Sequence, residues 1–326
     1  MSDPEGVTPN LDNESDSSMV VSTQRARPLR LPRDYSQPGI LLLDKAAGVS
    51  SAKAIQQVQD RLGIKKIGHA GTLDPFATGL LVVLLNGATR LMDYARIGRK
   101  RYSGEIAFGM VSDSDDLTGE LRPTGAPPPS EEAVFKALPS FIGEISQVPP
   151  QISAVHVQGR RAYALAREGL EVTIEPRTVT VESFELSRIA ADRYSFVVTC
   201  SGGTYIRSLA RDLGAVLGCG GYLAALRREG STPLSVARAT RVEDLSVDRV
   251  LPWDTLFPTA PRVQLESSDM VALQRGQLGM LLPQLASLDV SDGGVCIVVA
   301  ESEQAPVALL LFRAGRWQFG VNFVAR

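Results

Sequence analysis

A lone carboxylate, Asp74, lies between glycines and a proline, ahead of an apolar run that starts at Gly79. Pro75 fixes its own backbone φ and biases Asp74 toward extended conformations. Gly71 and Gly79 allow backbone geometries or close approaches that a side chain would block. A loop held in this way could present the carboxylate to a cleft, where it could act in catalysis. An Asp-Pro pair is also typical of a turn or a helix cap, so the spacing alone leaves both interpretations open.

Regular patterns on either side of this loop predict the elements that must position it. The apolar run Ile40–Leu43 predicts a buried strand, Ser50 caps a helix that ends at Gly63, and Gly79–Leu85 predicts a second buried strand. Strands and helices continue to alternate, which indicates a mixed α/β domain. The further predicted elements are a short helix over Thr89–Ala95, strands over Tyr102–Met110, Val179–Leu186 and Tyr194–Cys200, and helices over Arg161–Glu168 and Thr204–Leu217.

The spacing of the acidic run Ser112–Glu120 does not place a glycine and a terminal glutamate where an EF-hand loop needs them. We therefore expect a solvated acidic turn, which begins a linker that continues to Pro129. Ser130 then caps a helix. We expect the inward residues of that helix to be Val134, Phe135, Leu138 and Phe141.

Length and composition exclude several classes of protein. The 326 residues are 44% hydrophobic and 21% charged, close to the averages for soluble globular proteins. The longest aliphatic runs, Gly79–Leu85 and Val307–Phe312, are shorter than the roughly 18–20 residues of a membrane span. The N-terminal residues lack a secretory pattern, so we expect a cytoplasmic protein. We also expect no membrane partner.

Cysteine and histidine usage argues against disulfides and metal. Cys200, Cys219 and Cys296 lie far apart and form no C-x-x-C pair, which predicts reduced thiols. His69 and His156 are the only histidines, so a multi-histidine metal site is excluded and we predict no metal.

The sequence divides into three parts. Residues 1–38 form a polar leader that is acidic up to Val20 and then carries Arg25, Arg27, Arg30 and Arg33, which predicts a disordered tail ending in a basic arm. Residues 39–260 form the main domain. A boundary near Pro261 leaves residues 261–326 as a small β-rich domain.

The segment Gly68-His-Ala-Gly-Thr-Leu-Asp-Pro-Phe-Ala-Thr-Gly-Leu-Leu81 resembles the signature of the bacterial tRNA pseudouridine(55) synthases. Six further motifs follow that family's order, and together they span about residues 39–230. They are Leu43–Ser51, Lys100–Tyr102, Pro149–Val155, Gly159–Gly169, Gly203–Gly214 and Leu226–Arg228.

The resemblance implies a reaction that detaches uracil from ribose C1′, turns it and rejoins it through C5. Such a reaction needs no redox agent, metal or nucleotide cofactor. Asp74 matches the family's catalytic aspartate, which must be ionised either to attack C1′ or to abstract a sugar proton. Arg207 matches the arginine that pairs with it, and such a partner lowers a carboxylate pKa.

The resemblance also assigns the substrate pocket. Tyr102 matches a tyrosine that stacks on the target base and could remove the C5 proton, and Tyr205 matches a second pocket tyrosine. His69 matches the residue that fills or braces the space left by the flipped nucleotide. Lys45 matches a lysine that supports the site or contacts RNA, and Leu226 matches an apolar pocket residue. For Lys45 and Leu226 structural packing is an equal alternative, and Tyr205 could serve as a structural hydroxyl.

The net charge of −2 argues mildly against a nucleic-acid partner, but basic residues cluster beside the matched motifs. Any one cluster is typical of a solvated face, whereas together they predict a side of the protein that binds phosphates of the tRNA T-arm. The clusters are Arg96, Arg99, Lys100 and Arg101; Arg160, Arg161 and Arg167; and Arg211, Arg227 and Arg228.

Four positions depart from the family pattern. Ala46 replaces a proline, Ala70 a threonine, and Gln151 and His156 an aromatic residue and a lysine. These changes could alter loop rigidity or RNA affinity, while the reactive residues are intact.

The resemblance thus implies an α/β pseudouridine synthase core with a mixed, largely antiparallel sheet flanked by helices. It also implies a small C-terminal β module of the pseudouridine synthase and archaeosine transglycosylase (PUA) type. We expect a monomer that isomerises uridine 55 of tRNA. Two alternatives are a tRNA-binding or tRNA-folding protein with secondary catalysis, and a guided synthase inside a ribonucleoprotein.

Overall fold

A computed structural model of the chain describes residues 37–151, 156–157, 160–161 and 174–324. The predicted leader lies outside this range except for Gln37 and Pro38, as does the predicted helix over Arg161–Glu168 except for Arg161, which lies in a strand. The described helices are α1 (Ser51–Leu62), α2 (Met92–Ile97), α3 (Glu131–Ala137), α4 (Ile206–Val216), α5 (Met270–Gln274) and α6 (Leu282–Ala286). None of these helices is long and apolar enough to cross a membrane.

The strands are numbered along the chain. They are β1 (Gly39–Lys45), β2 (Ile67–Ala70), β3 (Thr78–Leu85), β4 (Lys100–Phe108), β5 (Met110–Ser112), β6 (Leu121–Pro123), β7 (Gly143–Gln147), β8 (His156–Val157), β9 (Arg160–Arg161), β10 (Arg177–Arg188), β11 (Arg193–Cys200), β12 (Gly221–Ser231), β13 (Leu234–Ser235), β14 (Leu251–Pro252), β15 (Arg262–Leu265), β16 (Val295–Ala300), β17 (Ala305–Arg313) and β18 (Arg316–Asn322).

Ten strands form one large sheet in the order β14-β1-β3-β12-β4-β11-β10-β7, with β2 beside β3 and β13 beside β12. Every pairing in it is antiparallel except the short parallel contact of β3 with β12. The mixed, largely antiparallel sheet implied by the resemblance is therefore confirmed.

Strand β3 is a continuous apolar run because both of its faces are covered. Leu81, Val83 and Leu85 pack against α1, while the alternate residues face a second apolar cluster. Helix α1 begins where the Ser50 side chain accepts a hydrogen bond from the backbone N–H of Lys53. It ends at Gly63, whose φ of 71° is left-handed. Both helix ends agree with the sequence pattern.

Helix α4 covers the other half of the sheet. Its Leu209 and Leu213 pack in one cluster with Phe108 of β4 and Phe196 of β11. Gly214 lets the helix approach closely, because a Cβ there would overlap the backbone of Gly221. The helix is therefore packed against β11, which precedes it in the chain, and β12, which follows it.

Helix α3 differs from the prediction at one residue. Val134, Leu138 and Phe141 are buried, but Phe135 is 44% exposed. Val134 packs in one cluster with Leu138 and Phe141, which lie in the 3-10 helix Leu138–Phe141 directly after α3. Phe135 lies about 100° around the α3 axis from Val134. The buried apolar face of this segment thus has three of the four residues that the sequence predicts.

The chain ends in a second sheet of four strands, β15-β16-β17-β18. Ile297, Val299 and Leu309 of this sheet share an apolar cluster with Leu42 and Leu84 of the large sheet. The two sheets thus pack together through a continuous apolar contact. The β-rich C-terminal part is confirmed, while its boundary near residue 261 and its likeness to the PUA type stay predictions.

Candidate active site

The register of the large sheet brings the predicted site residues to one end of it. Gly79 of β3 lies beside Arg228 of β12, and Tyr102 of β4 lies on the other side of Arg228. Leu226 precedes Arg228 by two residues on β12. The next strand, β11, ends level with the start of β4, and the turn after it leads into α4, which carries Arg207.

A cavity of about 670 Å³ opens at this end of the sheet. Its volume lies in the range typical of ligand sites. Five of the residues that the resemblance assigned to the site line it together: Asp74, Tyr102, Tyr205, Arg207 and Leu226.

The loop that carries Asp74 is held by hydrogen bonds from two other elements. The Ser51 hydroxyl, at the start of α1, accepts a bond from the backbone N–H of Leu73 and donates one to its carbonyl, each at 2.9 Å. The Lys45 Nζ, at the end of β1, donates to the carbonyl of Pro75 at 3.2 Å. Backbone on both sides of Asp74 is therefore fixed.

The glycines around Asp74 are required by close contacts with β12. Gly79 has a φ of 97°, and a Cβ there would overlap the backbone of Arg228. Gly71 has a φ of 90°, and its carbonyl accepts a bond of 3.1 Å from Arg228 Nη2. The Nε of the same arginine donates to the carbonyl of Leu80. The buried Arg228 thus ties both ends of the loop to the sheet.

Asp74 forms a bidentate ion pair with Arg207. Arg207 Nε lies 3.0 Å from one carboxylate oxygen and Nη2 donates to the other at 3.2 Å. Arg207 also donates to the carbonyl of Ser114 at 2.9 Å, and its Nη1 lies 3.5 Å from the Asp116 carboxylate. The arginine is only 4% exposed, so its position is fixed from both sides.

The pKa of Asp74 is raised above its ordinary value. Burial is the largest cause, and the negative charge of Asp116 adds to it, whereas the Arg207 guanidinium and the Lys45 ammonium lower the pKa. Arg207 lowers the pKa of Asp74, as the resemblance predicts, but burial raises the same pKa by more. Asp74 is the one partner of the pair that remains partly accessible from the cavity.

Two tyrosines line the cavity from different elements. Tyr102 on β4 is 9% exposed, and burial raises the pKa of its phenol, an effect that the Arg228 charge opposes. Tyr205 is the N-cap residue of α4 and is held through its backbone, which exchanges two hydrogen bonds with the Gln147 side chain at 2.8 and 3.0 Å. The Arg177 guanidinium lies over its ring, 5.4 Å from the centroid.

His69 and Lys45 do not line the cavity. His69 lies on β2, beside the loop, and burial together with the positive charges of Arg228 and Arg96 lowers its pKa. Lys45 is 1% exposed, and its Nζ donates to three backbone carbonyls. Burial lowers the pKa of Lys45 to about 8. The ammonium thus joins the segment between β1 and α1, through Ala46 and Val49, to the Asp74 loop, through Pro75.

The acidic turn is not solvated, contrary to the expectation from sequence. Asp115 is 9% and Asp116 is 3% exposed. Asp115 accepts a bond of 2.8 Å from Arg211, and Asp116 faces Arg207. The prediction was wrong because the two carboxylates meet arginines of α4, which are distant in sequence and which compensate for their burial.

Several basic residues that were expected to bind phosphate serve inside the protein instead. Lys100 and Arg228 are 4% and 2% exposed. Arg227 donates two hydrogen bonds to the Asp44 carboxylate, and Arg211 pairs with Asp115. Arg96, Arg99 and Arg101 are exposed, whereas the side chains of Arg160, Arg161 and Arg167 lie outside the described residues.

Sequence analysis missed two residues of the site. Lys100 lines the cavity, and burial lowers its pKa to about 8. Its Nζ donates to the Ser231 hydroxyl at 2.6 Å. The acidic run predicts a surface position for Asp116, but its carboxylate lies 3.5 Å from Arg207 Nη1. The only available signal was that Lys100 belongs to a matched motif.

Of the four unusual positions, three are described. Ala70 is buried opposite Val82, and Ala46 and Gln151 are exposed, while the His156 side chain lies outside the described residues. All three cysteines are buried and free. Across the described residues no three histidine, cysteine or acidic side chains cluster as metal ligands would.

Two family models place the protein among the pseudouridylate synthases. The model for the TruB family pseudouridylate synthase N-terminal domain matches residues 59–206, and that for the tRNA pseudouridylate synthase B C-terminal domain matches residues 207–256. A chain in a crystal structure titled as a Cbf5-Nop10-Gar1 complex shares the fold, with a TM-score of 0.63 and 24% identity over 92% of this chain and 88% of that one.

Curated relatives narrow the class further. A tRNA pseudouridine synthase B of Roseobacter denitrificans is 40% identical over 262 residues, which cover 78% of this chain and 86% of the relative. One of Cutibacterium acnes is 39% identical over 271 residues, covering 79% and 91%. This chain belongs to the TruB family of pseudouridylate synthases and is an enzyme of that class.

Proposed function

We propose that this enzyme isomerises uridine 55 in the T-loop of tRNA to pseudouridine. Synthesis of pseudouridine in tRNA is supported by the names of its relatives and by the family models. The observation that carries the proposal is Asp74, a partly accessible carboxylate that is held by a buried arginine and lines a cavity of about 670 Å³. The position of the target uridine follows from the resemblance of the motifs.

The reaction is a rearrangement in which the atoms of the base are conserved. The C1′–N1 bond breaks, a C1′–C5 bond forms, the C5 hydrogen leaves as a proton and N1 gains a proton. We propose that Asp74 acts in its ionised form, by attack on C1′ or by abstraction of a sugar proton. The bidentate contact with Arg207 orients its oxygens for either step.

Tyr102 is assigned to the base. Because burial raises its pKa, the phenol is neutral at physiological pH, and a neutral ring can stack on uracil. To accept the C5 proton it would first have to lose its own. We assign Tyr205 and Leu226 to the same base pocket, since both line the cavity with Tyr102.

The charge of the cavity suits RNA better than the charge of the whole chain does. Among the described residues, four cationic side chains line it against one carboxylate, that of Asp74; they are Arg96, Lys100, Arg207 and Arg228. An excess of positive charge attracts a polyanion. The target uridine must leave its stack to reach Asp74, and we propose that His69, on the adjacent strand, braces the space that it vacates.

The remaining roles follow from burial. We assign Lys45 to support of the catalytic loop, because its three carbonyl contacts leave it no donor for RNA. We further propose a catalytic domain over residues 39–260, an RNA-binding domain over residues 261–326 and action as a monomer in the cytoplasm without a cofactor.

The first test is tritium release from an unmodified tRNA transcript labelled at uridine C5, with a metal chelator present. We expect release by the wild-type chain and none by Asp74→Asn. We expect Asp74→Ala to keep most of its tRNA binding, because the phosphate contacts lie elsewhere.

A transcript with cytidine in place of uridine 55 is the matched control. Release from that transcript at an undiminished rate would disprove the assignment of position 55. No release by the wild type from either transcript would disprove catalysis by the isolated chain, and retained binding would then favour an RNA-folding protein.

A further inference from the structure

The C-terminal end of α2 forms one edge of the cavity, and two of its side chains are exposed there. Ile97 is 77% exposed, the most exposed large hydrophobic side chain in the described part of the chain. The Arg96 side chain is 57% exposed and has a weak ion pair at 3.8 Å with Asp93, which is itself 89% exposed. Both residues line the cavity that contains Asp74.

The backbone of this edge is rigid although its side chains are exposed. Lys100 Nζ donates to the Arg96 carbonyl at 3.1 Å, and the backbone N–H of Thr232 donates to the Arg99 carbonyl at 2.9 Å. A Cβ on Gly202, across the mouth, would lie 2.9 Å from the Arg96 carbonyl, so the two sides of the mouth are in close contact. A rigid edge can position a ligand at little cost in conformational entropy.

Arg96 lines the same cavity as Asp74, and its charge is also one of the causes that lower the pKa of His69. An exposed guanidinium with an apolar neighbour suits RNA, in which a charged phosphate alternates with an apolar base face.

We propose that Arg96 and Ile97 are substrate-positioning residues at the cavity mouth. Arg96 binds a phosphate of the flipped nucleotide or of its immediate neighbour, and Ile97 packs on the base or ribose next to the vacated position. The inference rests on the proposed function and deepens it by assigning the backbone contact beside the target uridine. Apolar side chains that contact an unstacked base step are known from other nucleic-acid complexes.

The chain offers a matched control for this pair. Arg188 and Ile189 are also an adjacent, exposed arginine and isoleucine, with Ile189 51% exposed. They lie at the turn of the β10–β11 hairpin, whose opposite end meets β4 beside the cavity. Arg96→Gln and Ile97→Ser can thus be compared with Arg188→Gln and Ile189→Ser, which make the same chemical changes at a site outside the cavity.

Tritium release and tRNA binding at several salt concentrations test the proposal. We expect Arg96→Gln to raise KM about five- to tenfold, the size of one charge-assisted contact, with kcat within twofold of wild type. The slope of log Kd against log salt should fall by about 0.7–0.9, the share of one phosphate contact. Arg96→Lys should restore the slope, and Ile97→Ser should raise KM without changing it.

The inference is overturned if the Arg96 and Ile97 variants match the Arg188 and Ile189 variants in KM and salt slope while the wild type is active. An inactive wild type would instead overturn the proposed function. A loss of kcat with unchanged KM would also contradict a positioning role, because that loss indicates an effect on the chemical step.

Discussion

At the scale of single residues, the site depends on how one carboxylate is balanced between burial and neighbouring charge. Burial is the largest cause that disfavours the charged form of Asp74; the Arg207 guanidinium favours the charged form, and the negative charge of Asp116 adds a smaller unfavourable effect. Because the proposed chemistry needs the ionised form, activity must fall as the pH falls through the raised pKa of Asp74.

This balance predicts the direction of a shift. Asp116→Asn removes a charge that raises the pKa of Asp74, so the acidic limb of the pH–activity profile should move to lower pH. The substitution is nearly isosteric, and an amide oxygen can still accept the bonds from Ser114 and Thr118 that hold the turn. The measurement is single-turnover tritium release from pH 4 to pH 8.

The matched control for Asp116→Asn is Asp113→Asn, an exposed carboxylate in the same turn. It should leave the acidic limb where it is in the wild type. A limb that moves upward in the Asp116 variant would show that the contact of Asp116 with Arg207 matters more than its charge at Asp74.

At the scale of elements, the loop between β2 and β3 is fixed by a close approach of two strands. Gly79 has no room for a Cβ against the Arg228 backbone, and its φ is positive. The parallel contact of β3 with β12 is only two residue pairs long. A small displacement there would separate Asp74 from the strand that carries Leu226.

Gly79→Ala should therefore cost more stability than an ordinary glycine substitution. Gly63→Ala, at the end of α1, has a similar positive φ but open space around it, and should lower the free energy of unfolding by about 1 kcal/mol. Gly79→Ala should lower it by about 1–3 kcal/mol more, because of overpacking. Urea unfolding measures both, and equal losses would contradict the close approach.

The second element contact joins the acidic turn to α4 through Arg211 and Asp115. Asp115→Asn leaves an arginine with a weaker partner in a half-buried position and should lower the free energy of unfolding by about 1–3 kcal/mol. Asp113→Asn serves again as the exposed control and should change stability by less than about 0.5 kcal/mol. Urea unfolding measures the free energy of unfolding of both variants, and equal values would contradict a stabilising contact between the turn and α4.

At the scale of the whole molecule, the two sheets share an apolar contact centred on Trp253. This side chain is 1% exposed, and its Nε1 donates to the Pro306 carbonyl at 3.0 Å. Ile297, Val299 and Leu309 lie in the same cluster. Removal of the second sheet would expose this face of the large sheet to water.

Fluorescence can report that exposure directly. The chain has two tryptophans, Trp253 and Trp317, so a chain that ends after residue 260 retains only Trp253. We expect its emission to shift to longer wavelength than that of the full chain carrying Trp317→Phe, which also retains only Trp253. Identical emission from the two proteins would contradict the contact between the sheets.

The sequence by itself determined the local features and the family. The caps of α1, the glycines around Asp74 and the ordered motifs are visible in the printed chain, because caps, positive φ angles and short motifs depend on neighbours within a few residues. Through the resemblance, they also indicated five residues that line one cavity.

Only the tertiary structure decided which charges are internal. Asp115, Asp116, Lys100 and Arg228 resemble surface residues in sequence, yet all four are buried. Their partners lie on elements far away along the chain, so the compensation for burying them cannot be seen before the strands are paired. The tertiary structure likewise left Arg96 and Ile97 exposed at the cavity mouth, because the contacts of α2 fix its backbone and leave these two side chains outside.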